Sequence, residues 1–221
     1  MSGIMLNVVG GTYKDPAPTT IGQAYGGGFY AGQIGVSSVA THYLVVGPQA
    51  SAQNNSRQYK TANTGGDPTS VINGPANSAA MNDASYPAAF FCEGLSIGGY
   101  TDWYLAAVNE LEVCYYNLKG STTSNYTGTA QGGNPPQASG INANAVPSRS
   151  SGYTAGTPAQ TSASAFQTGN AEDFGSSSYW SSTQVTSNYA WFQLFSTGRQ
   201  YSYANQKTDS LFVRAIRRVA V

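Results

Sequence analysis

Apolar positions recur at three- and four-residue steps in the middle of the chain. Leu105, Val108, Leu111, Tyr115 and Leu118 share one face and predict a helix over roughly 103–119. Thr101 or Asp102 is its natural N-cap, and Lys119-Gly120 its natural stop. A shorter helix is predicted over 77–91, capped by Asn77 or Ser78, with Pro87 forcing a break or kink near Tyr86. Elsewhere the period is two. After Gly26-Gly27-Gly28, residues 29–36 read as a strand. They return across Ser37-Ser38 as a second strand over 41–46, which Gly47-Pro48 ends. A C-terminal β region runs over 188–196, turns at Thr197-Gly198 and returns over 199–204 with Arg199, Tyr201 and Tyr203 on one face. A final strand covers 211–219. Residues 50–75 read as polar loop. Residues 120–173 are the least regular, and a loop of that length is usually functional or disordered. Residues 1–25, broken by Lys14-Asp15-Pro16-Ala17-Pro18, suit an extended arm or linker; simple N-terminal fraying, or a first strand paired within the domain, fits them equally.

Composition narrows this picture. A chain of 221 residues makes one domain, or one domain with an arm. Leu, Ile, Val and Phe are sparse, which with high net charge would mean disorder. Here the net charge is zero, and 16 Tyr, 8 Phe and 3 Trp can supply the buried area instead. Charged residues are only 9%, against roughly 25% in ordinary domains. A surface rich in Gly, Ser, Thr, Asn and Tyr suits extracellular adhesins and virion proteins. It argues against nucleic-acid binding, which needs a basic stripe. The one basic cluster, Arg214, Arg217 and Arg218, lies on the terminal strand and reads as structural. No stretch approaches the ~20 apolar residues of a membrane span, and the N-terminus lacks a signal peptide's basic head and apolar run. A role outside the cell would therefore need another route of exit, such as assembly into a particle followed by lysis.

The residues that could carry chemistry are few. Cys92 and Cys114 read as two buried thiols, or as a single bridge between packed helices. The lone His42 reads as an ordinary strand residue and disfavours a zinc site. Glu110 and Glu112 stand two apart on the predicted helix and so point to different faces. One is expected to be solvated and the other partly buried. Glu172-Asp173 offers two carboxylates where calcium takes six to eight oxygens. No Ser-His-Asp set and no paired carboxylates appear, so neither enzymatic activity nor a cofactor is expected.

Gly99-Tyr100-Thr101-Asp102-Trp103-Tyr104-Leu105, leading into Glu110-Leu111, resembles the Lcl-type, C-type-lectin-like domains of bacterial surface proteins and phage structural proteins. Tyr179-Trp180-Ser181-Ser182-Thr183 matches a second landmark of that family. Ala190-Trp191, Phe195 and Gly198, closed by Val213-Arg214-Ala215-Ile216-Arg217, match a third. Gly26 to Ile34, with Thr41 to Ser51, is similar to the opening of the phage virion versions. Where the family commonly has Pro after Leu105, this chain has Ala106. The resemblance implies an α+β, C-type-lectin-like fold, with two helices packed on twisted antiparallel sheets, long irregular loops, and the chain ends close together. Its frame would be Asp102, Trp103, Trp180, Trp191 and Arg217, with Asp102-Trp103 fixing the second helix. The layout is also similar to the variable proteins of diversity-generating retroelements. That likeness places an exposed ligand surface at Gln184, Thr186, Asn188, Tyr189, Phe192, Gln193, Gln200, Tyr201, Tyr203, Asn205 and Lys207. Tyr, Asn, Ser and Gln make adaptable contacts at low entropic cost, as antibody loops do.

These features imply an arm over 1–25 and a C-type-lectin-like domain over 26–221. The expected function is a phage virion surface protein of the tail-fibre or receptor-binding type, whose ligand is a host-surface glycan or protein. A capsid decoration or head-fibre role, anchored to other virion proteins through the arm, is the alternative. A homo-oligomer is expected, a trimer being plausible. The formylglycine-generating relatives of the fold need a redox-active cysteine pair that Cys92 and Cys114 do not match. The Glu-Pro-Asn and Trp-Asn-Asp triplets of calcium-dependent lectins are absent. A bound glycan would therefore stack on Tyr or Trp and hydrogen-bond to amides.

Overall fold

The computed structural model describes residues 16–130 and 137–221. It is an α+β structure with two main helices, a curled antiparallel sheet and a second, mixed sheet. Strands β1 (Ala24–Tyr25), β2 (Gly28–Val36) and β3 (Val39–Val46) form a meander. The β2–β3 turn is Ser37-Ser38, both at positive φ (49° and 63°), as a two-residue hairpin turn of the I′ type requires. A short helical turn α1 (Gln49–Ala52) leads into β4 (Gln53–Gln58). Helices α2 (Gly74–Ala79), α3 (Pro87–Glu93) and α4 (Val108–Leu118) follow. The chain closes with β5 (Ser178–Gln184), β6 (Ala190–Leu194), β7 (Gln200–Tyr201), β8 (Ser210–Arg214) and β9 (Ile216–Ala220). The sheet orders are β1-β2-β3-β9 and β4-β8-β5-β6-β7, with β5 and β8 parallel.

Four expectations need correction. The helix predicted over 77–91 is two helices, α2 and α3. Pro87 opens the second at a position where its missing N–H costs nothing. The helix predicted from Trp103 starts only at Val108, because residues 103–107 run extended and Tyr104 pairs with Ile216. Neither Thr101 nor Asp102 caps it. Instead Glu110 reaches back to accept the Ala107 N–H at 2.8 Å. The final strand is two strands. Ala215 marks the crossover, and its N–H bonds to Ala52 while its carbonyl accepts from Gly47. β8 then belongs to the mixed sheet and β9 to the curled one. Finally, the predicted loop 50–75 contains β4. Its sequence, Gln-Asn-Asn-Ser-Arg-Gln, has no apolar alternation to announce it.

Helix α4 is the pivot. It has no exposed residue, so the one-faced amphipathic reading gives way to a helix enclosed on all sides. The curled sheet covers one side at close range. Gly32 has φ 126°, and a Cβ there would stand 2.3 Å from the Asn117 amide, whose N–H donates to the Ala31 carbonyl at 2.8 Å. The enclosure overturns the expected solvated glutamate, since Glu110 and Glu112 are both fully buried. Glu110 accepts from Arg218 at 2.6 Å and from the Tyr104 hydroxyl at 2.5 Å. Glu112 accepts from Asn142 at 2.6 Å, from the Tyr153 hydroxyl at 2.8 Å, and from Arg149. Burial pushes both carboxyls above the usual range, against the pull of these arginines.

Those same bonds tie the irregular region down. Asn125 accepts from the Tyr115 hydroxyl at 2.6 Å and donates to Pro158 at 2.8 Å. Lys119 donates to the carbonyls of Thr123 and Pro158. The described parts of this region, 120–130 and 137–173, are thus a polar scaffold clasped to α4. Two separate hydrophobic clusters hold Cys114 and Cys92 respectively. Both are free, buried thiols, and burial raises the pKa of each.

Residues 1–15 of the expected arm lie outside the described residues. From Pro18 onward the segment packs on the domain: Pro18 is buried, the Gly22 N–H bonds to Tyr30, and β1 pairs with β2. Among the described residues no helix is long and apolar enough to cross a membrane.

Candidate functional site

A groove of about 740 Å³ opens where β6, β7 and the loop after β5 meet the N-terminal end of α4 and the 137–144 segment. Trp191 and Tyr203 line it together with Gln184 and Gln200 from the C-terminal region. Asn109, Gln137 and Asn144 come from the other bank, and Val71, Val108, Ile141 and Val185 supply apolar wall. No Asp, Glu, Lys, Arg or His lies among these lining residues.

Strand alternation decides which β6 side chains face the groove. Trp191 is partly exposed, while Phe192 points inward, edge-on to Trp180 (centroids 5.5 Å apart) and stacked on Tyr201 (5.0 Å, 9° between planes). The three tryptophans therefore divide. Trp103 and Trp180 are buried frame residues whose ring N–H groups donate to the Tyr100 carbonyl at 3.1 Å and the Arg57 carbonyl at 3.0 Å. Trp191, expected as frame, is a groove residue, and its ring N–H has no protein partner among the described residues.

The predicted ligand surface is sorted by burial. Phe192, Gln193, Gln200 and Lys207 were expected to be exposed and are buried, at 2%, 0%, 6% and 0% exposure. Gln193 donates to the Tyr153 hydroxyl and to the Gly198 carbonyl, bracing the β6–β7 turn. Gln200 touches the groove while its side-chain oxygen accepts the Gly140 N–H at 3.2 Å. Gln184, Thr186, Tyr189, Tyr201 and Asn205 are half-buried, and Asn188 and Tyr203 exposed. Tyr189 and Tyr203 pack edge to face at 5.3 Å. Tyr201 lies beneath the Arg199 guanidinium, 4.6 Å from its ring centre. Asn205 is engaged in a turn with Asp209. The structure thus brings Gln184, Gln200 and Tyr203 to one groove and leaves Thr186, Asn188 and Asn205 on the rim loops.

Lys207 is buried for a reason that bears on the groove. Its ammonium donates to Asp67 at 2.5 Å, to the Thr64 carbonyl at 3.0 Å and to the Gln184 side-chain oxygen at 2.7 Å. Lys60 bonds the other Asp67 oxygen at 2.5 Å, and the Tyr86 hydroxyl also donates to that oxygen. Burial alone would raise the Asp67 pKa, yet the hydrogen bonds from Lys207, Lys60 and Tyr86 hold it below the usual value. Burial lowers the pKa of Lys207. The Asp67 backbone N–H also donates to Gln184 at 3.2 Å. Two donors thus fix the Gln184 oxygen inward and leave its NH₂ as the free end.

The other candidates are committed to the frame. Arg217 forks onto Asp102 at 2.7 and 2.9 Å, donates to the Gly26 carbonyl and lies 3.7 Å over the Tyr100 ring. Asp102 therefore secures β9 and the segment before α4 rather than the helix start. Arg214 donates to Gly47 and to Glu172. Asp173 accepts the N–H groups of Gly169 and Gly175. His42 stands beside the Thr41 hydroxyl at 3.0 Å, with its pKa lowered by burial and by Arg218. Sequence reasoning missed Asn109, Gln137, Ile141 and Asn144, which have no local signal because the groove forms only when the 137–144 segment folds against α4. No family model, curated protein or solved structure matches this chain.

Proposed function

We propose that this chain is a non-catalytic binding module with a C-type-lectin-like fold, displayed on a phage virion, which contacts a host-surface glycan or protein through the Trp191–Tyr203 groove. The observation that carries the reading is a partly exposed tryptophan, its ring N–H without a partner among the described residues, in a groove walled by amides and apolar side chains. Surface aromatics with one apolar face and one polar edge are common anchors of recognition. The titratable groups fit this reading. The buried carboxylates Glu110, Glu112 and Asp67 are each engaged by cations and enclosed, so none is open to a substrate. The C-type-lectin-like assignment rests on the motif likeness together with the α+β architecture of two main helices and two sheets.

The test is competition. Purified protein added to host cells is expected to occupy their surface and to slow particle adsorption. The variant Tyr203→Ala, at a groove-lining and exposed position, is expected to lose this effect while keeping its circular dichroism. Unchanged cell binding by that variant, and by Trp191→Ala, would remove the groove from the function.

A further inference from the structure

Resting on that binding reading, we propose that the groove takes a neutral, hydroxyl-rich saccharide chain, stacked on Trp191 and held by side-chain amides without a metal ion. The wall selects against other chemistries. A charged ligand would be desolvated against a lining with no charged residue to pair with it. A wholly apolar ligand would cover five carboxamides (Asn109, Gln137, Asn144, Gln184 and Gln200) and leave their free groups unbonded. A sugar ring satisfies both demands. Its C–H face lies on an indole, and each hydroxyl both donates and accepts.

The groove offers both partners to such hydroxyls. Gln184, with its oxygen held by Lys207 and Asp67, presents NH₂ donors. The Trp191 ring N–H is a second donor. Asn109 donates its amide N–H to the Asn144 side-chain oxygen at 2.8 Å, which leaves its own oxygen as the group to accept from a ligand. The volume of about 740 Å³ falls in the ~300–1,000 Å³ range of small-ligand sites. Calcium-dependent sugar binding needs a carboxylate-rich ligand set, which this lining lacks. Lys207 is a positioning residue: it acts on the ligand only through the orientation of Gln184.

Trp191 also supplies the assay. With Trp103 at 0% and Trp180 at 1% exposure, acrylamide quenching of intrinsic fluorescence reports on Trp191. The full chain would be titrated with neutral hexose and N-acetylhexosamine oligosaccharides, and separately with sialylated and sulfated ones. Neutral chains are expected to shift the emission and shield it from acrylamide, unchanged by EDTA. Gln184→Leu is expected to weaken them about 3- to 10-fold with the fold intact. Shielding by the anionic chains alone, or abolition by EDTA, would overturn the proposal. If no saccharide shields Trp191 while Tyr203→Ala still loses cell binding, the saccharide proposal falls and the binding reading stands. If cell binding ignores the groove variants, the binding reading itself falls.

Discussion

Asp67→Asn is the most informative perturbation of the groove's support. Asp67 is the single anion between two ammonium groups, each at 2.5 Å, and the Asp67 and Lys207 side chains are fully buried while Lys60 is 10% exposed. The wild-type cluster carries a net charge of one, two lysines against one aspartate. The substitution leaves two buried cations with no counter-charge. Breaking a buried pair in this way costs roughly 3–5 kcal/mol, a large part of the ~5–15 kcal/mol that holds a domain folded. At ~2–4 °C per kcal/mol for a chain of this length, a melting temperature lower by about 6–20 °C is expected. Lys207→Met should cost less, about 1–3 kcal/mol, because it leaves Lys60 and Asp67 as a neutral pair and strips one bond each from Thr64, Gln184 and the second Asp67 oxygen. The pH dependence has a definite sign. The Asp67 pKa is lower folded than unfolded, so its contribution is complete above the unfolded value of about 3.9 and is lost as pH falls through the folded one. The gap between wild type and Asp67→Asn should therefore be full at neutral pH and close on acidification. Scanning calorimetry across that range measures it. A loss under about 1 kcal/mol, or a gap that persists in acid, would refute the ion-pair reasoning.

Two further outcomes follow from burial. Cys92 and Cys114 sit in separate cores at 0% exposure, so neither should react with a thiol reagent in the native protein and both should react in denaturant; rapid native labelling, or an intact mass showing a bridge, would contradict the packing. Asp102 is 56% exposed at its side chain and Arg217 only 8%. Asp102→Asn should therefore cost no more than about 1 kcal/mol. Arg217→Ala should cost about 2–3 kcal/mol, since it also loses the Tyr100 stack and the Gly26 bond; equal losses in urea titrations would show that the exposed pair dominates.

What was legible in the chain depended on whether local pattern decides the outcome. The β2–β3 hairpin was readable because Ser37-Ser38 separates two alternating runs, and α4 because its apolar residues recur at helical spacing. β4 and β5 were not announced in this way. Their residues are mostly polar, and in β5 Ser181, Ser182 and Thr183 are bonded by the neighbouring strand at Trp191 and by the distant Asn77 and Ser70. The split at Ala215 was equally hidden, since which sheet a strand joins is a tertiary choice. At the groove, residue types were readable and orientations were not. A strand's two faces follow from its register, and one step of register exchanges Trp191 for Phe192.

That exchange explains why amide and aromatic content alone misplaces the surface. A chain poor in aliphatic residues builds its interior from Tyr, Asn, Gln and paired charges, so the same residue types occur inside and out. Gln193 and Lys207 belong to the interior by their bonds, and Gln184 to both, its oxygen held within and its NH₂ free. The predicted surface thus divides into two classes with different freedom to change. Asn188 and Tyr203 are exposed, and the one ring contact of Tyr203 is with Tyr189, itself only half-buried. Phe192, Gln193 and Lys207 each fill a buried position, where a different side chain would leave a cavity or an unpaired donor. A face that presents new contacts while keeping its fold can vary at the first class only, with the second holding Gln184 and Trp191 in place beneath it.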